Sequence, residues 1–301
     1  MLQSYFPLEI FNAVSHLNFN KLNEIRLRVG KPIVIDYGGL YYLSKNGITD
    51  VISQSLICTK DMTNEIINKA CENSLYAYNE EIKNGYLTLS GGARIGIAGT
   101  CVYDGANIKT IKNFSSLNIR IPHEVRNCSL NIIEFLAEPY IHNTLILSPP
   151  GAGKTTLLRD IAYQFSQKYL KSVLIIDERN EIANVNNGIP QYNLGILSDV
   201  ITNSTKRFGL ENGIRSLNPN IVFTDELSNE MDVDAIHYAL GCGVKVVATT
   251  HSENIYSIKE KKYFEDLVNK KIFERFVVLS TRNGVGTIEG VYDKNFKCLC
   301  M

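Results

Sequence analysis

The segment Ser148-Pro149-Pro150-Gly151-Ala152-Gly153-Lys154-Thr155-Thr156 follows a short apolar run, Thr144 to Leu147. It precedes a stretch in which Leu157, Leu158, Ile161, Ala162 and Phe165 recur at helical spacing. A glycine-rich turn joining a buried strand to an amphipathic helix constrains this chain more than any other feature. Glycines let backbone N–H groups converge and the helix N-terminus adds partial positive charge, so the turn has the form of a Walker A loop. In that form Lys154 reaches the β and γ phosphates of ATP and Thr155 ligates Mg²⁺. Ser148 stands where the motif has its first glycine, so the turn must form there without glycine's freedom.

Short, fully apolar runs continue downstream at Val173–Ile176, Ile221–Thr224, Val244–Ala248 and Phe276–Leu279, separated by helical stretches. Such alternation predicts a parallel sheet covered by helices on both faces. The run at Ile221 ends in Asp225-Glu226, which suits a Walker B element, with Asp225 and Glu226 as further Mg²⁺ ligands. An additional strand, Val173–Ile176, falls between the two motifs and ends in Asp177-Glu178-Arg179, the mark of RecA-like P-loop proteins. Glu178 and Glu226 therefore compete for the role of general base. The strand Val244–Ala248 runs into Thr249-Thr250-His251, which puts His251 at the same carboxyl edge as a candidate γ-phosphate sensor.

The first ~110 residues differ, with β signals at Ile33–Ile35, Leu40–Leu43 and on both sides of the hairpin turn Asp104-Gly105. Between them Met62, Ile66, Ile67, Ala70 and Leu75 recur near helical period behind the capping residues Thr59 and Asp61, with Gly85 expected just past the helix end. The expected division is an α+β domain over 1–118 and a P-loop domain over 119–301. The fold class is thus α/β: a RecA-like domain with a mainly parallel sheet, preceded by a smaller α+β domain. Leu89-Ser90-Gly91-Gly92 imitates the signature of transporter ATPases, but it precedes the P-loop and is read as a turn linking strands.

The 31 basic residues balance 31 acidic ones, so no global field draws the chain to nucleic acid or anionic lipid. Seven cysteines without paired CxxC spacing argue against a disulfide framework or a structural zinc site, and for a reducing, cytoplasmic setting. Apolar runs fall far short of the ~20 residues a membrane span needs, so the expected protein has no transmembrane segment and is at most peripheral at the inner face of a membrane.

The order of these motifs resembles the secretion and traffic ATPase superfamily that powers type II and type IV secretion and pili. Glu24-Ile-Arg26-Leu-Arg28-Val-Gly30-Lys-Pro32 and Gly92-Ala-Arg94-Ile-Gly-Ile look like its N-terminal domain, Val173–Ile182 like its Asp box, and Thr249-Thr250-His251 like its His box. More narrowly, the Walker A segment through Arg159-Asp160, Asp177-Glu178-Arg179, Lys206 and Ile214-Arg215-Ser216-Leu-Asn-Pro219 resemble a sporulation branch of endospore formers. The resemblance implies ATP hydrolysis by a homo-oligomer, a hexameric ring, energising a membrane-embedded sporulation channel complex between mother cell and forespore. The superfamily has Gly-Glu in Walker B where Asp225-Glu226 stands here, and the expectation favours Glu178 as base. Related ring ATPases take an arginine from the neighbouring subunit, and Arg94 and Arg120 are the candidates. A nucleic-acid-dependent RecA-like ATPase is the alternative, with Lys168, Lys171, Lys206 and Arg207 feeding a groove. No stable nucleic-acid partner is expected. A small-molecule kinase would need an arginine-rich lid, for which Lys259–Lys262 is thin.

Overall fold

Strict alternation in Glu24-Ile-Arg-Leu-Arg28 sends Ile25 and Leu27 to one face and the charged residues to the other, the pattern of a sheet buried on one side. In the computed structural model, which describes residues 2–300, this strand lies in the first of two units, one ending at His123 and the other beginning at Glu124. The N-terminal unit is a seven-stranded antiparallel sheet made of β1 (Glu24–Arg28), β2 (Val34–Asp36), β3 (Leu40–Ser44), β4 (Gly47–Thr49), β5 (Tyr86–Thr88), β6 (Arg94–Asp104) and β7 (Asn107–Arg120). Their order is β4-β3-β2-β1-β7-β6-β5. The hairpin turns at Gly105, where Asp104 pairs with Asn107. Helices α1 (Leu8–Ser15), α2 (Lys60–Ala70) and α3 (Asn79–Lys83) accompany the sheet, and Ile10, Val14, Ile66 and Ile67 join Ile25, Leu27, Ile95 and Ile119 in one core.

Thr59 caps α2 as expected, its hydroxyl accepting from the Met62 amide at 3.2 Å. The helix nevertheless stops at Ala70, short of the expected end before Gly85. Glu72 and Asn73 take left-handed backbone, and the Asn73 amide bonds back to the Asn68 carbonyl, a helix-ending turn. Leu75 therefore lies outside the helix and is exposed, and Gly85 follows α3 instead.

The second unit is built on an eight-stranded sheet. Its elements in chain order are α4 (Ile133–Ala137), β8 (Thr144–Ser148), α5 (Lys154–Gln167), β9 (Val173–Asp177), the small ribbon β10 (Val185–Asn186) and β11 (Ile189–Pro190), and β12 (Ser198–Thr202). There follow α6 (Lys206–Leu217), β13 (Ile221–Glu226), α7 (Glu230–Gly241), β14 (Lys245–His251), α8 (Glu265–Asn269), β15 (Arg275–Ser280), β16 (Thr287–Asp293) and β17 (Cys298–Cys300). The sheet runs β12-β9-β13-β14-β8-β15-β16-β17. Every neighbouring pair from β12 to β15 is parallel, and β16 and β17 close the far edge antiparallel. Because β14 lies between β8 and β13, the arrangement is the RecA-like one.

Alternation along each strand feeds two cores. Ile146, Ile175, Phe223 and Val247 pack with Leu158, Ile161 and Phe165 of α5 on one face. Leu145, Leu147, Leu174 and Val222 pack with Leu210 of α6, Ile236 of α7 and Leu267 of α8 on the other. A sheet covered on both sides needs strands that are apolar throughout, and β8 and β9 are buried at every position. All the parallel strands end at one edge, which gathers Ser148, Asp177, Glu226 and His251.

Candidate functional site

The turn after β8 depends on two glycines with positive φ, Gly151 at 73° and Gly153 at 89°. At Gly153 space is also short, since a Cβ would lie 3.4 Å from the Gly286 backbone, whose amide donates to the Ala152 carbonyl at 3.2 Å. The loop joining β15 to β16 thus braces the turn. Ser148 needs no such freedom: it ends β8 in register with His251, away from the left-handed region. The amides of Gly151, Ala152 and Gly153 donate to no backbone acceptor among the described residues, which leaves them open to an anion at the N-terminus of α5.

A cleft of about 240 Å³ opens beside this turn, lined by Pro150, Gly151, Lys154 and Thr155 and by residues from three other strand ends. Asp225 and Glu226 both face it, although adjacent strand residues ordinarily point to opposite sides. The cause is a break in register between β13 and β14 from Thr224 to Glu226, a bulge that re-aims one carboxylate. Lys154 Nζ lies 2.9 Å from His251 Nδ1, and His251 Nε2 lies 3.3 Å from Glu226 Oε1. An ammonium can only donate, so Nδ1 accepts and the imidazole proton sits on Nε2, aimed at Glu226. Burial holds the Lys154 ammonium below the usual lysine value, with Glu226 opposing the shift and Lys261 adding to it.

Glu178 does not line the cleft, in contrast to the expectation that favoured it as base. Its carboxylate takes Lys206 Nζ at 2.6 Å, and the same ammonium lies 3.3 Å from Asp225 Oδ1 and 3.8 Å from Asp232 Oδ1. Burial alone would depress Lys206, but its three carboxylate neighbours raise it above the ordinary value. Burial pushes the Asp225 carboxyl up to about 6, against the pull of Lys206 and with Asp177 and Glu178 adding to the rise. Lys206 is only 5% exposed, so it cannot feed the nucleic-acid groove considered above, and Arg207 beside it pairs with Glu211.

The loop after β9 is clasped from within. Asp177, fully buried, accepts the amides of Glu181, Ile182 and Ala183 at 2.8–3.0 Å. Arg159 of α5, also buried, donates to the carbonyls of Ile182 and Glu181 and stacks on Tyr192. Asn180 makes the turn at φ 54° and exchanges hydrogen bonds with Val185. The clasp leaves Arg179 and Glu181 lining the cleft, two residues that sequence reasoning missed as site members. The available signal was asparagine just past an acidic strand end, the residue most tolerant of left-handed backbone. Asp160 plays a parallel structural part, accepting the Asn127 amide and both the amide and hydroxyl of Ser129.

Arg94 and Arg120 stand in the N-terminal unit, directly paired across β6 and β7, with Glu24 next in register to Arg120. Burial alone would raise the Glu24 carboxyl, but bonds from Arg26 and Asn118 and the charges of Arg26 and Arg120 bring it below the ordinary value. Thr156, the last residue of the expected phosphate loop, lies in the first turn of α5. For a magnesium ion the donors fit: Thr155 and Asp225 line the cleft, and buried Asp225 Oδ1 has no hydrogen-bond partner despite its ion pair with Lys206. No group of three or more His, Cys, Asp or Glu among the described residues forms a ready metal cage. Nor does any helix among them have the length and apolarity to cross a membrane.

A family model described as Sporulation stage III, protein AA, matches residues 9–299. Stage III sporulation protein AA of Bacillus subtilis (strain 168) is 33% identical over 298 residues, spanning 96% of this chain and 93% of that protein. Among solved structures, the ATPase DotB of Legionella pneumophila is similar with a TM-score of 0.60 at 14% identity, covering 91% of this chain and 76% of that one. The pilus retraction motor PilT with bound ADP gives 0.55 at 13%, covering 89% and 76%. At such identities the likeness speaks to the fold: a mostly parallel P-loop sheet that follows an antiparallel N-terminal domain in the chain.

Proposed function

We propose, from the premise that this chain belongs to the sporulation stage III protein AA family, that it is an ATP-hydrolysing motor of the secretion type. The observation that carries the reading is the convergence on one cleft of unspent loop amides, Lys154, Thr155 and two strand-end carboxylates. In this reading the amides of Gly151 to Gly153 and the Lys154 ammonium hold the β and γ phosphates. Thr155 and Asp225 would hold Mg²⁺, which when bound neutralises charge on the β and γ oxygens. Glu226 is the general base, because it faces the cleft while Glu178 is spent on Lys206. His251, bridging Lys154 and Glu226, senses the γ-phosphate: when Lys154 turns to phosphate, the imidazole loses its partner and passes that change to the base.

Hydrolysis is coupled to assembly by Arg94 or Arg120 reaching a neighbouring subunit's site, in a homo-oligomeric, hexameric ring. The ring works in the cytoplasm at the inner face of the membrane and drives a membrane-embedded sporulation complex. ATP turnover measured across protein concentration, with mass by light scattering, tests this. We expect Mg²⁺-dependent turnover whose specific rate rises as the ring forms and which Lys154→Ala abolishes. Constant activity in a pure monomer counts against the ring, and unchanged turnover in Lys154→Ala refutes the site.

A further inference from the structure

Among the described residues Arg179 has no hydrogen-bond or ion-pair partner, yet it lines the cleft with Lys154, Thr155, Asp225 and Glu226. The other cations nearby are committed. Lys154 is bonded to His251, Lys206 is enclosed by Glu178, Asp225 and Asp232, and Lys261 donates to the His251 carbonyl. Arg159 spends its guanidinium on the Ile182 and Glu181 carbonyls and on the Tyr192 ring.

An exposed arginine on a surface loop is ordinarily a solvated charge on a mobile support. Here the support is held from both sides. Buried Asp177 ties down the amides of residues 181–183, Arg159 ties down two carbonyls, and Asn180 closes the turn onto Val185. A fork of N–H donors on a clasped loop, facing a cleft built for polyphosphate, matches the planar, two-toothed recognition that guanidinium gives phosphate oxygens.

We propose that Arg179 is a catalytic residue supplied in cis, which donates to the γ-phosphate oxygens of ATP as their charge spreads in the transition state. In the step it serves, a water oxygen forms a bond to the γ phosphorus and the bond from that phosphorus to the β–γ bridging oxygen breaks. Glu226 takes the water proton and ADP leaves with the bridging electron pair. Arg179 donates hydrogen bonds throughout and transfers no proton. Arginines from a neighbour then tie turnover to assembly, while the charge the chemistry itself needs is already present in each subunit.

The inference rests on the ATPase reading, so wild-type protein is assayed beside Arg179→Ala, Arg179→Lys and an equimolar mixture of Arg179→Ala with Lys154→Ala. Arg179→Ala is expected to lose about 10³-fold or more in kcat, with affinity for a fluorescent ATP analogue within about threefold. Arg179→Lys, which keeps the charge but not the fork, should recover only part of the rate. The mixture should stay inactive, because Lys154→Ala subunits cannot lend an arginine that acts only at home. Restored turnover in the mixture overturns the assignment in cis. Turnover of folded Arg179→Ala or Arg179→Lys equal to wild type overturns the role outright, the second variant deciding if the first does not fold. Absent turnover in wild type sinks the ATPase reading and this inference with it, whereas turnover in wild type and variants alike sinks the role of Arg179 alone.

Discussion

Replacing Asp225 by Asn should make the nucleotide-free protein more stable while abolishing its turnover. The carboxyl titrates near 6 in the folded chain against an ordinary 3.8, because burial outweighs the attraction of Lys206. A raised folded value means that the protonated form is favoured by folding. That stability is complete below 3.8 and is lost as pH rises through 6, so at pH 7.5 the wild type carries the cost of an ionised, buried Asp225. A rise from 3.8 to about 6 corresponds to about 3 kcal/mol, a figure already net of Lys206. Asn cannot ionise and escapes that cost, and Lys206 keeps Glu178 and Asp232 as partners. In EDTA without nucleotide, Asp225→Asn should melt roughly 6–12 °C above wild type at pH 7.5. The gain should fall to about half in free energy at pH 5 and disappear below 3.8. A gain that does not vary with pH, or a variant less stable than wild type at pH 7.5, would refute the reasoning.

Glu226→Gln should lower kcat by about 10²–10⁴ while ATP still binds, and Glu178→Gln should stay within about tenfold of wild type, as single-turnover hydrolysis and nucleotide titration would reveal. The opposite ranking returns the base to Glu178. Asp160→Ala leaves the Asn127 and Ser129 donors without their buried acceptor, at a cost of about 3 kcal/mol or more in urea unfolding, and a neutral result means water replaces the carboxylate.

Much of the core was legible because its elements announce themselves locally. The apolar runs at Thr144, Val173, Ile221, Val244 and Phe276 become β8, β9, β13, β14 and β15, since a strand buried on both faces keeps an unbroken apolar stretch along its middle. Strands β12, β16 and β17 went unread for the converse reason: β12 and β17 are the sheet's edges and β16 lies next to one, and half-exposed positions mix their composition. In the site, the glycine-rich turn between β8 and α5 was readable from its flanks. Which of Glu178 and Glu226 lines the cleft was not, since it depends on a register break between two strands and on an ammonium 28 residues away in sequence. Arg179 stayed hidden because Asp177, which reads as an acid at a strand end, works as the anchor of the loop that carries it.

The irregularity at Thr224–Glu226 has an engineering corollary. Grafting this acidic dipeptide onto a straight strand of another scaffold would leave one oxygen cluster pointing backwards, into the packing. Losing one position from Ile221–Thr224 would likewise move Glu226 into the place that meets lysine and put Leu227 where Glu226 meets water. What makes the pair usable is an offset in the backbone, and a comparison of side-chain identities alone would never register its loss.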